Sequence, residues 1–303
     1  MKAALPEDKL KATWSTLAMQ AGAFKQQRGA RVEDVGNMKR VTVTCDFERV
    51  PLDLIVAYNP AGLIGGFNVR PYTPPAAPWS APAYVDAAKF GESEVTVGAT
   101  NWPLPGTLAM PTGAGPFPAI VLVHGSGPND RDETLGPNKA FKDLAQGLAS
   151  RGVAVLRYDK RTKVAGAKMA SITNFTVKDE TVDDAVAAVA FLRMTPKIDP
   201  ARIVVIGHSL GGMLIPRIGA ADAKIAGLIA MAGATGDLAQ TMARQSRYLA
   251  AGDGRVTADE QKQIDAMDQL VKTVAALTPA DAAKPAPIQG APASYWLDLR
   301  GYE

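Results

Sequence analysis

The stretch Arg202-Ile-Val-Val-Ile-Gly-His-Ser-Leu-Gly-Gly-Met-Leu214 decides the fold. Residues 203–206 form an uninterrupted β-branched run, the pattern of a strand buried on both faces. Gly207-His208-Ser209-Leu210-Gly211 follows without a spacer and matches G-x-S-x-G, a sharp strand-to-helix turn that presents a serine hydroxyl. Such a turn strains the backbone at Ser209. It also brings residues 207 and 211 so close to neighbouring chain that only glycine fits. A helix is expected from Met213 onward, its positive end aimed at the serine.

A second motif stands about eighty residues upstream, in Ala119-Ile-Val-Leu-Val-His-Gly-Ser-Gly-Pro128. Residues 120–123 read as another buried strand, running into a glycine-rich loop, His124-Gly125-Ser126-Gly127. Acyl transfer needs two N–H donors aimed at the oxyanion of a tetrahedral intermediate. Leu210, directly after the serine, is expected to supply one and Ser126 the other. Gly207, His208, Gly211, His124, Gly125 and Gly127 then support the turn and the loop.

This pair of motifs resembles the α/β-hydrolase family, and within it bacterial esterase-type members with a small N-terminal domain. The loops Gly125-Ser-Gly-Pro-Asn-Asp-Arg-Asp-Glu133 and Arg157-Tyr-Asp-Lys-Arg161 are similar to that branch as well. The resemblance is strong over residues 90–303 and looser before them. It implies an α/β fold: a mostly parallel sheet with helices on both faces, preceded by a small α+β domain. It implies Ser209 as nucleophile and a small-molecule ester as substrate, with no cofactor and no metal. Peptidase and thioesterase chemistry run on the same machinery and stay open, since a fold does not fix a substrate.

Composition excludes several other classes. The net charge of +3 over 303 residues is small, and Lys and Arg are scattered, so no nucleic-acid footprint is present. No apolar run reaches membrane-spanning length; residues 225–234 come nearest and are too short. The opening Met-Lys-Ala-Ala-Leu-Pro-Glu-Asp lacks the apolar core of a signal peptide, and the compartment and oligomeric state stay open. A single cysteine rules out an intrachain disulfide framework.

Along the chain, Leu10, Trp14, Leu17, Ala21 and Phe24 recur at helical spacing, predicting a helix to about residue 27. Three strands with period-two alternation follow: Val41 to Phe47, Leu52 to Tyr58 and, after the turn Asn59-Pro-Ala-Gly62, Leu63 to Val69. They predict an antiparallel meander covered on one face by the helix, with Cys45 as a buried structural thiol. This helix-plus-meander domain is placed at residues 1–70 and a proline-rich linker at 71–89. The hydrolase-like domain is placed at 90–303, with a helical cap at about 236–278. Within it, strands are expected around Val95, at 104–110, 120–123 and 154–158, through the elbow, and at 225–231. Helices are expected at 141–148 and after the capping boxes Thr176-Val-Lys-Asp179 and Thr257-Ala-Asp-Glu260. The resemblance implies that the cap shapes the acyl or alcohol pocket. It also implies that relatives carry a further helix, and often an export signal, before this start, so the start is read as clipped.

A serine needs a base, normally a histidine oriented by a carboxylate, in the chain order Ser, acid, His. The chain has two histidines and none follows Ser209. His208 is expected to point away from the nucleophile, and His124 to brace the oxyanion loop by hydrogen bonding. Asp237 is a weak acid candidate, and Asp159 and Arg161 read as a pair holding their loop. The family's acid and histidine follow its seventh and eighth strands, and only six are countable here. Two readings follow: an inactive fragment of a longer hydrolase, or a hydrolase-like protein that binds without catalysis. Either way, residues 225–231 are expected to form an exposed apolar edge.

Overall fold

The computed structural model describes residues 7–74, 78–284 and 287–300. The expected starts and ends that fall on residues 1–6, 75–77, 285–286 and 301–303 lie outside the described residues, as does the side chain of Leu10. The chain divides into two compact units, residues 1–77 and 78–303.

In the first unit, helix α1 (Glu7–Ala21) ends before Gly22, whose φ is +82°. The expected helix to residue 27 is therefore too long. Phe24 instead opens a strand, and the sheet has four strands, β1 (Phe24–Val35), β2 (Met38–Phe47), β3 (Pro51–Tyr58) and β4 (Ile64–Pro71), in that antiparallel order. Strand β1 escapes a periodicity reading because all its residues are exposed and neither face is apolar. Phe24 pairs with Phe47 across β1 and β2, their rings 5.8 Å apart, and the Trp14 ring of α1 meets both at a tilt. Leu17 and Ala21 of α1 pack on Cys45, Phe47 and Leu52, so the helix does cover the meander and Cys45 is buried. The Asn59 side chain accepts from the N–H groups of Ala61 and Leu63 and holds the β3–β4 turn.

The second unit opens with residues fastened to its own first long helix. Trp79 Nε1 donates to Asp143 at 2.8 Å, and the Asp86 N–H donates to Ser150 Oγ at 2.9 Å. Strands β5 (Phe90–Val97), β6 (Leu104–Pro111) and β7 (Phe117–Val123) follow. A two-residue-stranded hairpin, β8 (Thr134–Leu135) and β9 (Asn138–Lys139), was not expected from the sequence and leads into α2 (Ala140–Ala149). Then come β10 (Ala154–Tyr158), α3 (Arg161–Val164), α4 (Gly166–Ala170) and α5 (Asp183–Arg193). Thr176 and Asp179 exchange the capping hydrogen bonds, but the helix they open begins with a wide π turn, Lys178–Val182. Strand β11 (Ile198–His208), α6 (Leu210–Met213), α7 (Ile215–Ala221) and β12 (Gly227–Met231) complete the sheet. Helix α8 (Leu238–Ala250), α9 (Ala258–Ala276) and α10 (Ala293–Leu299) close the chain. The Thr257–Glu260 box caps α9 as expected, whereas the sequence carries no expectation of α10.

The six-stranded sheet runs β12-β11-β7-β10-β6-β5, parallel from β12 to β10 and antiparallel beyond. Alternation along β7 explains its unbroken apolar sequence. Val121 and Val123 face α5 and α7, while Ile120 and Leu122 face Phe141 and Ala145 of α2. A third cluster joins Leu210, Met213 and Leu214, behind the elbow, to α8, α9 and α10 through Ala239, Leu270, Val274, Tyr295 and Trp296.

Strand β12 is the sheet's edge, and Leu228 and Ile229 on it are 41% and 45% exposed. An apolar edge of this kind templates strand addition. The 303-residue chain is expected to self-associate with rising concentration. Ile229→Lys should reduce that association without lowering the melting temperature, as read by light scattering at two concentrations. A parent chain that stays a monodisperse monomer would contradict this.

Candidate active site

The register Gly207↔Val123 between β11 and β7 brings the carboxyl ends of both strands to the same level. The turn after β11 and the loop after β7 therefore emerge side by side. Ser209 takes φ 53° and ψ −113°, a conformation L-residues rarely adopt and one that persists only when surroundings enforce it. The enforcement is visible. The Ser209 N–H donates to Met231 O at 2.9 Å, its carbonyl accepts from Met213 N at 2.9 Å, and the Gly211 N–H donates to His124 O at 3.1 Å. A Cβ on Gly207 would sit 2.2 Å from Gly211 O, and one on Gly211 would sit 2.4 Å from Val123 O. Both glycines are thus demanded by backbone-to-backbone approach.

The helix after Ser209 begins at Leu210, three residues earlier than the sequence reading, and breaks after Met213 before resuming as α7. Leu210 is its first residue, so its N–H has no partner within the helix, and the Ser209 side chain does not cap it. Ser209 Oγ makes no hydrogen bond among the described residues. Across from it stands Gly125, where a Cβ would come within 3.1 Å of Ser209 Cβ. Ser126 follows, exposed, and Gly127 turns the loop with φ +93°.

Three side chains that the sequence reading did not single out hold this loop, and a fourth, Glu180, pairs with one of them. Glu133 Oε1 accepts the Gly125 N–H at 2.8 Å, and its Oε2 lies 2.9 Å from His208 Nδ1. That contact is at ion-pair distance but outside hydrogen-bond geometry, so His208 Nδ1 lies beside Glu133 without a hydrogen bond among the described residues. Asn129 Nδ2 donates to the carbonyls of Gly125 and Ser126, each at 3.1 Å. Lys160 Nζ donates to Gly125 O at 2.8 Å and lies 3.3 Å from Glu180 Oε1. The sequence signal for Glu133, Asn129 and Lys160 was their place in the two quoted loops; Glu180 carried none beyond its position at a helix start.

His124 is buried between the rings of Phe141 and Tyr158, each centroid 5.3 Å away. Its Nε2 has no hydrogen-bond partner among the described residues, and its ring acts on the loop through the Asp130 backbone. Burial, reinforced by the nearby Lys160 charge, pushes its pKa down to about 3, so it is neutral near pH 7. Asp237 caps α8 by accepting from Gln240 N at 2.9 Å. Asp159 and Arg161 do not pair with each other. Asp159 holds Arg131 at 2.9 Å, and Arg161 makes a two-point bond to buried Asp184 at 2.5 and 3.0 Å. Burial raises the Asp184 carboxyl to about 6 against the pull of Arg161.

A cavity of about 380 Å³ opens beside Ser126. Met169, Phe175, Leu238, Met242 and Trp296 give it an apolar wall, with Glu180 and Tyr295 at one side. No group of three or more His, Cys, Asp or Glu among the described residues is placed to hold a metal ion. No described helix is long and apolar enough to cross a membrane.

Residues 120–302 match the family described as "Alpha/beta hydrolase family", and residues 1–67 match a protein family of unknown function, DUF3887. The chain is 36% identical over 300 residues to Esterase EstD of Thermotoga maritima, a match covering 99% of this chain and 68% of EstD. It is 35% identical over 115 residues to Polyketide transferase ATR5 of Stachybotrys chlorohalonatus, covering 38% of this chain and 36% of that protein. Among solved structures, the alpha/beta hydrolase GrgF from Penicillium sp. sh18 aligns with a TM-score of 0.44 at 18% identity, over 70% of this chain and 74% of that one.

Two outcomes check this geometry. Gly211→Ala forces a methyl group onto backbone carbonyls that cannot yield, and should lower unfolding stability by about 3 kcal/mol or more in a denaturant titration. The second concerns His124. Its unfolded pKa of about 6.5 exceeds its folded value of about 3, so the unfolded chain takes up the proton first. Stability from this group is complete above pH 6.5 and is lost as pH falls toward 3, at up to about 1.4 kcal/mol per pH unit. His124→Phe should melt with a flatter dependence than the parent between pH 7 and pH 5; equal slopes would contradict it.

Proposed function

We propose that this chain, which belongs to the alpha/beta hydrolase family, carries the nucleophile and oxyanion hole of a serine carboxylic-ester hydrolase. The observation that carries the reading is the strained backbone at Ser209, set directly against the Gly125–Ser126 loop. In the reaction, Ser209 Oγ bonds to the ester carbonyl carbon while a base takes its proton. The carbonyl π electrons move onto oxygen, and the N–H groups of Ser126 and Leu210 stabilise that anion. Collapse of the intermediate expels the alcohol, which takes the proton back from the base. Water then attacks the acyl-serine by the same route.

The likeness to an esterase over almost the whole chain supports a carboxylic ester as substrate. The cavity beside Ser126 supports an apolar acyl or alkyl group of small to medium size, with Leu238 and Met242 of α8 acting as part of a cap. Neither of the two histidines present is proposed as the base: no hydrogen bond joins His208 or His124 to Ser209 Oγ among the described residues, and His124 is buried with its pKa held down to about 3, too weak to take the serine proton. The 303 residues alone are therefore proposed to be nearly inert. What activity they keep comes from the oxyanion hole and from binding, which leave a small fraction of the full rate.

The test is labelling with a fluorophosphonate, with and without imidazole added as an external base. The chain should label slowly, imidazole should raise the rate by about tenfold or more, and Ser209→Ala should label under neither condition. Labelling of Ser209→Ala at the parent rate would remove Ser209 from the role.

A further inference from the structure

The Gly125–Ser126 peptide is gripped by a buried cation, Lys160. Lys160 and its partner Glu180 are 2% and 5% exposed, a charged pair taken almost wholly out of water. Such a pair is a costly way to hold two segments together, since each ion gives up its hydration. Nor is it isolated. Glu180 Oε2 accepts from Tyr295 Oη of α10 at 2.9 Å, and Glu180 Oε1 accepts from Thr162 Oγ1 at 3.3 Å. Burial, and then the neighbouring Glu180 charge, raise the Tyr295 hydroxyl well above its ordinary pKa, which keeps its proton available to donate. The Lys160 ammonium spends its remaining reach on a single backbone atom, the Gly125 carbonyl oxygen.

That atom matters because of what shares its peptide group. The Gly125–Ser126 bond is trans, so its C=O and its N–H point to opposite sides. Lys160 and Asn129 draw the carbonyl to one side, and the N–H they turn outward belongs to Ser126. Glu133 holds the N–H of the preceding peptide, at Gly125, which leaves the Gly125–Ser126 peptide to be oriented by Lys160 and Asn129. A cation bonded to the carbonyl also polarises the peptide and makes its N–H a stronger donor.

We infer that Lys160 is a positioning residue of the oxyanion hole: through the Gly125 carbonyl it aims the Ser126 N–H at the developing charge. Glu180 and Tyr295 hold Lys160 in place, which links α10 to the reacting centre. The inference rests on Ser209 and Ser126 acting as proposed above.

The variant that tests it is Lys160→Met with Glu180→Gln, which removes both buried charges together and leaves neither unpaired. Rates of labelling are compared for a fluorophosphonate and for its P=S analogue, in the 303-residue chain with imidazole present. The P=O oxygen fits a hole built for an oxyanion, and the larger, weaker acceptor sulfur does not. The double variant should melt near the parent temperature and label about tenfold more slowly or worse with the P=O reagent. It should lose much less with the P=S reagent, so the ratio of the two rates falls. Tyr295→Phe keeps the charges and the ring packing, and should shift the ratio in the same direction by a smaller factor. A merely structural role would slow both reagents alike and leave the ratio where it was. If Ser209→Ala abolishes labelling but both variants keep the parent rates and ratio, Lys160 has no such role while the nucleophile stands. If Ser209→Ala labels normally, the nucleophile reading fails, and this inference with it.

Discussion

The close approach of Gly211 to the carbonyls of Val123 and His124 is the constraint on which the rest of this unit depends. It is a contact between bare backbones. It exists because β11 and β7 are in register at Gly207 and Val123, and because nothing larger than hydrogen occupies residue 211. Once made, it fixes the turn after one strand to the loop after the other, with the Gly211 N–H bonded to His124 O. The positive φ of Ser209 follows from that junction. Strain there is held by hydrogen bonds on both sides of the residue and by the packing of Leu210, Met213 and Leu214 behind it.

Around this junction, charges do for the loop what helices do for the sheet. Glu133 takes the N–H of Gly125 and Lys160 its carbonyl, and each has a second partner: His208 beside the acid, Glu180 beside the base. The Lys160–Glu180 pair is the buried one, and it is highly directional because a lost bond there leaves an ion with no water to replace it. A loop rich in glycine, which would otherwise sample many conformations, is thereby held in one. The same network reaches α10 through Tyr295, so a segment far along the chain contributes to the shape of the site.

Much of this was legible in the sequence because it rests on local pattern. The unbroken apolar runs at 120–123 and 203–206 announced strands covered on both faces, and α2, α5 and α7 do cover them. The glycine spacing announced the elbow. What stayed hidden was decided by contacts between distant residues. Strand β1 is all exposed and is held in the sheet by pairing with β2 rather than by an apolar face; its one clue was Gly36-Asn37, a two-residue hairpin signal. Helix α10 follows a proline-rich stretch and is too short for a periodic signal, yet Tyr295, Trp296 and Leu299 are buried against α8 and α9 neighbours. The partners of Asp159 and Arg161 could not be guessed from their closeness in sequence, because each reaches across more than twenty residues to a different ion. Lys160 sat unremarked between them for the same reason.

The central claim is that the N–H groups of Ser126 and Leu210 converge on whatever oxygen is bonded to an atom attached at Ser209. A crystal structure of the phosphonylated Ser209 adduct addresses it most directly. The account predicts the phosphoryl oxygen within hydrogen-bonding distance of both N–H groups, about 2.7 to 3.1 Å, with Lys160 still on the Gly125 carbonyl. A phosphoryl oxygen directed to solvent, or bonded elsewhere while those two groups face away, would contradict it.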